Sequence, residues 1–292
     1  MLDRSSIIAY LPTMNKISTS DRARVIACLV EGNSIRATSR MTGIARNTVD
    51  KLLCDLGRAC SEYQDKTLRN LPCRLIQCDE IWSFVGAKEG NIPAEEKGKG
   101  RGDCWTWVAI DPKSKLVPCW YVGERDASAA YHFMNDLAGR LGNRVQMTTD
   151  GFRPYLRAVE DAFGTEIDFA QLVKIYGKSY NNSPEARYSP AQCMGARKAK
   201  IMGKPDYAHV STSICERQNL TMRMSMRRFT RLTSAFSKKV ENHEHAIALH
   251  YMHYNFCRIH QSLRVTPAME AGVSSHVWEI SEIVALLDKK SS

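Results

Sequence analysis

Two neighbouring acids, Asp79 and Glu80, interrupt the apolar and aromatic run LIQCDEIWSFVG, which covers residues 75–86. The run has the length and the β-branched and aromatic content of a buried strand. A carboxylate buried there without a partner costs several kcal/mol or takes up a proton to become neutral. Considered alone, Asp79 is as consistent with a structural ion pair as with a metal ligand.

Two further acids can reach Asp79. Asp150 closes a second predicted strand in the sequence MTTDG, and carboxylates at such strand ends face the site crevice of an open mixed sheet. Glu216 lies near the start of a predicted helix. Three converging carboxylates repel one another unless divalent cations lie between them, and hard oxygen ligands suit Mg²⁺ or Mn²⁺. Two such ions, roughly 3.5 to 4 Å apart, stabilise the attacking and leaving oxygens of an in-line phosphoryl displacement.

The other acids near these positions have simpler interpretations. Regular pleating points Glu80 to the opposite face of the strand from Asp79, which makes it non-catalytic or, alternatively, a support for the metal ligands. Asp103 and Asp111 flank the next predicted strand, and Asp111 precedes Pro112 in a tight hairpin. Both are interpreted as turn residues.

A mixed sheet is predicted to position the acids. Three strands, over residues 74–87, 104–110 and 116–124, form an antiparallel meander. A helix over 126–142, a strand over 144–150, a helix over 153–164 and a strand over 166–177 follow. Because the first and fourth strands of a βββαβα sheet are neighbours, Asp79 and Asp150 are expected to converge. The helix that begins near Ile214 carries one stripe of residues, namely Glu216, Asn219, Leu220, Arg223 and Arg227.

Three short helices are predicted within residues 18–57. Ser18 or Ser20 caps the first, Ser34 opens the second, and the third begins at Ala45. This pattern matches a helix-turn-helix, whose last helix enters the major groove of DNA. A three-helix packing or dimerisation module is the alternative, and the polar residues 61–72 are interpreted as a linker. The candidate DNA contacts at the exposed start of the third helix are Arg46, Asn47, Thr48 and Lys51.

The charge balance points to a polyanionic partner. The formal net charge is +10, and no run approaches 18 consecutive apolar residues, which favours nucleic acid over a membrane. Between residues 217 and 239 every charged side chain is basic, which indicates phosphate contacts rather than a merely soluble surface. The candidate DNA contacts here are Arg217, Asn219, Arg223, Arg227, Arg228, Arg231, Lys238 and Lys239.

Cysteine and histidine spacing gives little sign of a further metal site. The ten cysteines are scattered, and no Cys-x-x-Cys pair occurs, so a reduced cytoplasmic protein without structural zinc is expected. The histidines of residues 243–260 share neither one helical face nor a ligand spacing, and they are interpreted mainly as helix packing. His245 is the first candidate among them for a contact with DNA or the active site. The basic residues 178–205 are interpreted as irregular, either a DNA clamp or a disordered loop.

Four segments carry a family resemblance. They are DEIWSFVG from Asp79, YVGERDASA from Tyr121, TTDGFRPY from Thr148 and ERQNLTMRMSMRRFTRLTSAFSKKVENHEHAI from Glu216. Together they resemble the insertion-sequence-one family of bacterial DDE transposases over roughly residues 75–251. The resemblance implies a ribonuclease-H-like domain with Asp79, Asp150 and Glu216 as its catalytic and metal-binding acids. It also implies metal-dependent strand cleavage by water at the ends of the element, and joining of the freed 3′-hydroxyl to target DNA.

The sequence thus predicts an α/β protein with an N-terminal all-α helix-turn-helix domain and a ribonuclease-H-like (βββαβαβα) catalytic core. The expected divisions are residues 1–70 for DNA binding and linker, 71–265 for catalysis and 266–292 for a C-terminal helical tail. The expected partners are two Mg²⁺ or Mn²⁺ ions, double-stranded DNA and further copies of the chain, in the cytoplasm at the nucleoid. Two alternatives remain: a DNA-binding regulator derived from an inactive transposase, and a metal-dependent nuclease or resolvase without strand transfer.

Overall fold

A mixed β-sheet forms the centre of the computed structural model, which describes residues 17–96, 98–177, 193–230 and 235–288. Within these residues the strands are β1 (Leu75–Val85), β2 (Gly102–Ile110), β3 (Trp120–Gly123), β4 (Val145–Asp150), β5 (Ile167–Tyr176) and β6 (Cys193–Met202). Their order across the sheet is β3-β2-β1-β4-β5-β6. The pairs β1–β4 and β4–β5 are parallel and the other pairs are antiparallel. This arrangement fits a ribonuclease-H-like fold.

The register of β1 against β4 brings two of the predicted acids level. The parallel ladder runs from Leu75 opposite Gln146 to Gln77 opposite Thr148. Continued two residues further, the same register aligns Asp79 with Asp150, the last residue of β4. The predicted convergence of these two acids is confirmed.

Helices cover both faces of the sheet. On one face lie α4 (Ala127–Ala138) and α5 (Pro154–Phe163), and the fully buried Trp107 of β2 packs there against Phe133 and Tyr155. On the other face lie α6 (Ser213–Ser225) and α7 (Val240–Met252). The side chain of Gln77 accepts a hydrogen bond from the backbone N–H of Ile214, which fixes the start of α6 against β1.

The N-terminal helices are α1 (Thr19–Val30), α2 (Ile35–Thr42) and α3 (Arg46–Thr67). Ser18 and Ser34 accept hydrogen bonds from backbone N–H groups in the first turns of α1 and α2. Gly43 has a φ of 74°, so a residue without a Cβ ends α2 and starts the short turn to α3. Three consecutive helices are present where the sequence predicts them.

The predicted linker over residues 61–72 is wrong for its first half, because α3 continues to Thr67. Its buried face packs along α7: the Gln64 amide donates to the carbonyl of Ala248. At Gly57 a Cβ would lie 2.4 Å from the carbonyl oxygen of His245, so only glycine permits this approach. The outer face of this long helix is polar and exposed, which is why its sequence resembles that of a linker.

The strand β6 also departs from the prediction. Residues 178–205 were expected to be irregular, yet Cys193–Met202 pairs antiparallel with β5. This edge strand is exposed along nearly its whole length, so its sequence lacks the alternation of apolar and polar residues that indicates a strand. Residues 178–192, the first part of that predicted segment, lie outside the described residues.

The C-terminal part returns to the N-terminal helices. After α7 the chain forms a π-helical turn (His253–Cys257), α8 (Pro267–Glu270) and α9 (Ile280–Ala285). Trp278 packs its ring against Tyr63 of α3 and Phe256, with ring centroids 5.0 and 5.4 Å away. None of the described helices is long and apolar enough to cross a membrane.

Candidate active site

Three carboxylates meet where β4 ends beside the middle of β1. One oxygen each of Asp79, Glu80 and Asp150 lies within 4.8 Å of the others. Asp79 faces α6, and Glu80 faces α5, as regular pleating predicted. Although they leave β1 on opposite faces, both side chains come close to Asp150.

Asp79 is half-buried, and its surroundings disfavour its charge. Burial raises the pKa of Asp79 to about 6, and repulsion from Asp150 adds to the shift, as does a weaker contribution from Glu216. The amide of Asn219 donates to the Asp79 carboxylate at 2.8 Å. The attraction of Lys174 opposes the rise in the pKa of Asp79 but does not cancel it. The site therefore has the negative charge that a bound cation would neutralise.

Glu216 approaches from the first turn of α6. Lys174 of β5 donates to its carboxylate at 2.7 Å, and Thr212 also donates to it. Burial raises the pKa of Glu216, but these hydrogen bonds outweigh it, so the net shift of the pKa is downward. The side chain remains 39% exposed. Glu216 stays charged beside Asp79, at the open side of the site.

Glu80 is held by the protein on the other face. Its side chain is only 1% exposed. Tyr155 donates its hydroxyl to one carboxylate oxygen, and Arg125 donates to the other at 3.0 Å. Arg125 also donates to Asp150 at 3.3 Å, and its guanidinium lies 3.9 Å from the ring centroid of Phe152. Arg125 thus ties the buried Glu80 to the exposed end of β4.

Among the described residues, the acids whose oxygens lie close enough together to share a Mg²⁺ or Mn²⁺ ion are Asp79, Glu80 and Asp150, and Glu216 lies outside this group. All three are carboxylates, the ligands that these hard cations prefer. Burial and then repulsion from Asp150 raise the pKa of Asp79, and a bound cation would oppose both effects. Glu80 is the poorer ligand, because its two oxygens already accept hydrogen bonds from Tyr155 and Arg125.

Two of the predicted DNA contacts need correction. Asn219 is 4% exposed and bonds to Asp79, because the face of α6 that carries it packs on β1. It supports the acids and does not reach DNA. Arg227 leaves the predicted stripe, because α6 ends at Ser225 and the chain turns before it. It is nevertheless exposed.

The other predicted contacts differ in exposure. Thr48, Arg223 and Arg228 are half-buried, and Arg231 lies outside the described residues. The exposed ones are Arg46, Asn47, Lys51, Arg217, Lys238 and Lys239.

His245 is not part of the site. It lies on α7 where that helix touches Gly57 of α3. The buried His243 is likewise structural, since its ring nitrogens contact the hydroxyls of Ser83 and Ser237. The contacts of His243 and His245 agree with their interpretation as helix packing, and the choice of His245 for a contact with DNA stays a prediction.

Three site residues escaped the sequence analysis: Arg125, Tyr155 and Lys174. Lys174 stands alone in the apolar strand sequence QLVKIY, the same signal that marked Asp79. Arg125 precedes the Asp126 cap of α4 within the segment YVGERDASA. Tyr155 gave no signal, because a buried tyrosine on a helix is an ordinary core residue.

Residues 97–220 match the sequence model of a family described as a DDE domain. The matched part contains Asp150 and Glu216, and Asp79 lies upstream of it. This part of the chain is therefore similar to a DDE domain. No curated protein has a significantly matching sequence.

Solved transposase structures show only a distant likeness. A Mos1 transposase in a paired-end complex with the left transposon end has a TM-score of 0.24 and 14% identity, covering 53% of this chain. The chain spans 59% of the length of that Mos1 transposase. A piggyBac transposase in a synaptic complex with hairpin DNA has a TM-score of 0.41 and 9% identity, covering 94% of this chain and 72% of that one.

Proposed function

We propose that this protein is the DNA transposase of an insertion element, similar to the insertion-sequence-one family. It would cut DNA at the ends of the element and join the freed 3′-hydroxyl to target DNA. One observation carries the proposal: Asp79 and Asp150 stand side by side on neighbouring parallel strands, and Glu216 approaches from α6. The match to a DDE domain supports it.

In this proposal Asp79, Asp150 and Glu216 hold two Mg²⁺ or Mn²⁺ ions. When bound, such ions polarise the phosphodiester and lower the pKa of the attacking water or hydroxyl. The protein itself fixes the ligands. Asn219 orients the Asp79 carboxylate, Lys174 holds Glu216 on the open side, and Arg125 anchors Asp150 to the buried Glu80.

The N-terminal helices would bind DNA as a helix-turn-helix. The exposed start of α3 supplies Arg46, Asn47 and Lys51, with Thr48 beside them. The basic residues after Glu216 would contact phosphates near the acids. Because two DNA ends must be brought together, the active form would be a homo-multimer on DNA, located in the cytoplasm at the nucleoid.

Strand cleavage and joining test the proposal directly. The purified protein is incubated with DNA from the flanks of its own gene, with Mg²⁺, with Mn²⁺ and with a chelator. Joined products that need the metal and disappear in Asp79→Asn are expected. Cleavage without joining would favour a nuclease or resolvase instead. DNA binding without cleavage under every metal condition would favour a regulator derived from an inactive transposase.

A further inference from the structure

A second charged region lies where the N-terminal helices meet the core. A cavity of about 700 Å³ opens between the α1–α2 turn, the start of α3, the end of α6 and α7. We call it the basic cavity. Five basic residues and one acid line it: Arg36, Arg46, Arg227, Arg228, Lys238 and Asp50. Three of these basic residues come from the core and two from the N-terminal helices.

The two walls of the basic cavity are fixed relative to each other. Gly32, at the turn between α1 and α2, has a φ of +81°, and a Cβ there would lie 3.1 Å from the carbonyl oxygen of Ser225. This close approach joins the α1–α2 turn to the end of α6. On the other side Asn242 of α7 donates to Asp50 of α3 at 3.4 Å. The cavity is therefore built by the fold.

Arg228 stands between the walls. Its guanidinium donates to the Ser237 hydroxyl, and Asp50, one helical turn after Arg46, attracts it across the cavity. Within the described part of the chain no carboxylate forms an ion pair with Arg228. Burial lowers the pKa of Arg228, and the attraction of Asp50 only partly opposes this. A half-buried arginine without an ion pair is stabilised by a bound anion.

Phosphate is the anion that best matches this lining. The planar arginine fork pairs with two phosphate oxygens at once, and four of the five basic residues are arginines. A volume of this size holds a group of nucleotide dimensions. Because the basic residues belong to both walls, one phosphate in the cavity would contact the N-terminal helices and the core together.

We propose that the basic cavity binds one phosphodiester of the bound DNA between its two walls, so that the N-terminal helices and the catalytic core hold the same strand. This inference rests on the proposed function, because it takes DNA as the ligand. It adds a site away from the acids, and it makes Arg46 and Arg228 partners at a single phosphate.

A double-mutant cycle tests the shared phosphate. The affinity of the full chain for element-end DNA is measured without divalent cations for the wild type, Arg46→Gln, Arg228→Gln and the double variant. Each single change is expected to weaken binding. If both arginines hold one phosphate, the loss in the double variant is smaller than the product of the single losses by about threefold or more. Losses that multiply would overturn the shared site while leaving DNA binding intact.

Two further measurements supply a control variant and a replacement for the first cycle. Lys113→Gln removes one positive charge from the exposed β2–β3 turn, and its effect should multiply with that of Arg46→Gln. If Arg228→Gln lowers the thermal unfolding temperature markedly, a second cycle with Arg46→Gln and Lys238→Gln replaces it. The same coupling is expected there, and its absence would overturn the site. A wild-type chain that binds no DNA would instead overturn the proposed function.

Discussion

Two glutamates flank Asp79 and Asp150 from opposite faces of the sheet, and they differ in what holds them. Glu80 is 1% exposed and fixed by Tyr155 and Arg125. Glu216 is 39% exposed and held by Lys174 at the open side of the site. Burial raises the pKa of Glu80 to about 7, whereas the net shift of the pKa of Glu216 is downward.

The difference shows that a glutamate close to Asp79 and Asp150 is not for that reason available to bind a metal ion. Glu80 lies within 4.8 Å of Asp79 and Asp150, but its oxygens are occupied and part of its population is protonated near pH 7. Glu216 is charged and reachable. In the metal site that we propose, Glu216 is therefore the third ligand, and Glu80 is the anchor that positions Asp150 through Arg125.

The largest expected effect concerns catalysis. Glu216→Gln should lower the rate of DNA strand cleavage by about a thousandfold or more, because it removes a metal ligand. Glu80→Gln should lower the same rate only about tenfold, because it disturbs a supporting group. Single-turnover cleavage of labelled DNA measures both variants. The reverse ranking, with both variants folded, would make Glu80 the third catalytic acid.

A smaller effect is expected on stability. Arg125→Gln leaves the buried Glu80 without its cation and should lower the free energy of unfolding by about 2–3 kcal/mol near pH 7. Lys174→Gln should cost less than about 1 kcal/mol, because its ion pair with Glu216 is partly exposed to solvent. Urea unfolding measures both changes, with Arg125→Lys as the control that keeps the charge. Equal losses for Arg125→Gln and Lys174→Gln would contradict the distinction.

The pH dependence of stability is the next test. The folded-state pKa of Asp79 is raised from 3.8 to about 6 and that of Glu80 from 4.5 to about 7. Between about pH 4 and pH 7 the folded protein therefore binds more protons than the unfolded chain, so ion-free protein loses stability as the pH rises through this window. Asp79→Asn should recover roughly 3 kcal/mol of the loss at pH 7 and little at pH 4.

Thermal unfolding in the presence of a chelator measures this difference between the wild type and Asp79→Asn. The gain should shrink when Mg²⁺ is added to the wild type, because the cation neutralises the same charge. If Asp79→Asn is less stable than the wild type at pH 7 without metal, the charge of the Asp79 carboxylate stabilises the folded protein, which would contradict the prediction.

The smallest expected effect tests the anchor itself. Tyr155→Phe removes the hydroxyl that donates to Glu80 and should cost about 1 kcal/mol of unfolding free energy. Tyr131→Phe is the matched control, since Tyr131 is exposed on α4 and should change nothing. Urea unfolding compares the two. Equal stability of both variants would mean that the Glu80 carboxylate does not need Tyr155.

The sequence predicts the sheet better than it predicts the surface elements. The strands β1, β2, β4 and β5 follow from apolar runs bounded by turn residues, and Asp126 marks the start of α4. The exposed strand β6 and the second half of α3 lack a periodic apolar signal of their own. Tertiary packing decides both: β5 pairs with β6, and α7 covers α3.

The site divides in the same way. The convergence of Asp79 and Asp150 follows from the order of the strands in the sheet. The order of the elements along the chain predicts that strand order. The partners of the acids come from four separate elements and depend on side-chain directions that no spacing reveals. For this reason the stripe on α6 wrongly predicts Asn219 as a DNA contact, and nothing in the sequence indicates the link between Arg125 and Glu80.

Cation binding tests the central claim most directly. Calorimetric titration of Mn²⁺ into the wild type should show binding that Asp79→Asn abolishes and that Glu216→Gln weakens at least about tenfold. Glu80→Gln should keep the wild-type affinity within about threefold, because its carboxylate is already held by the protein. Binding that survives Asp79→Asn, or that depends on Glu80 and not on Glu216, would contradict the account.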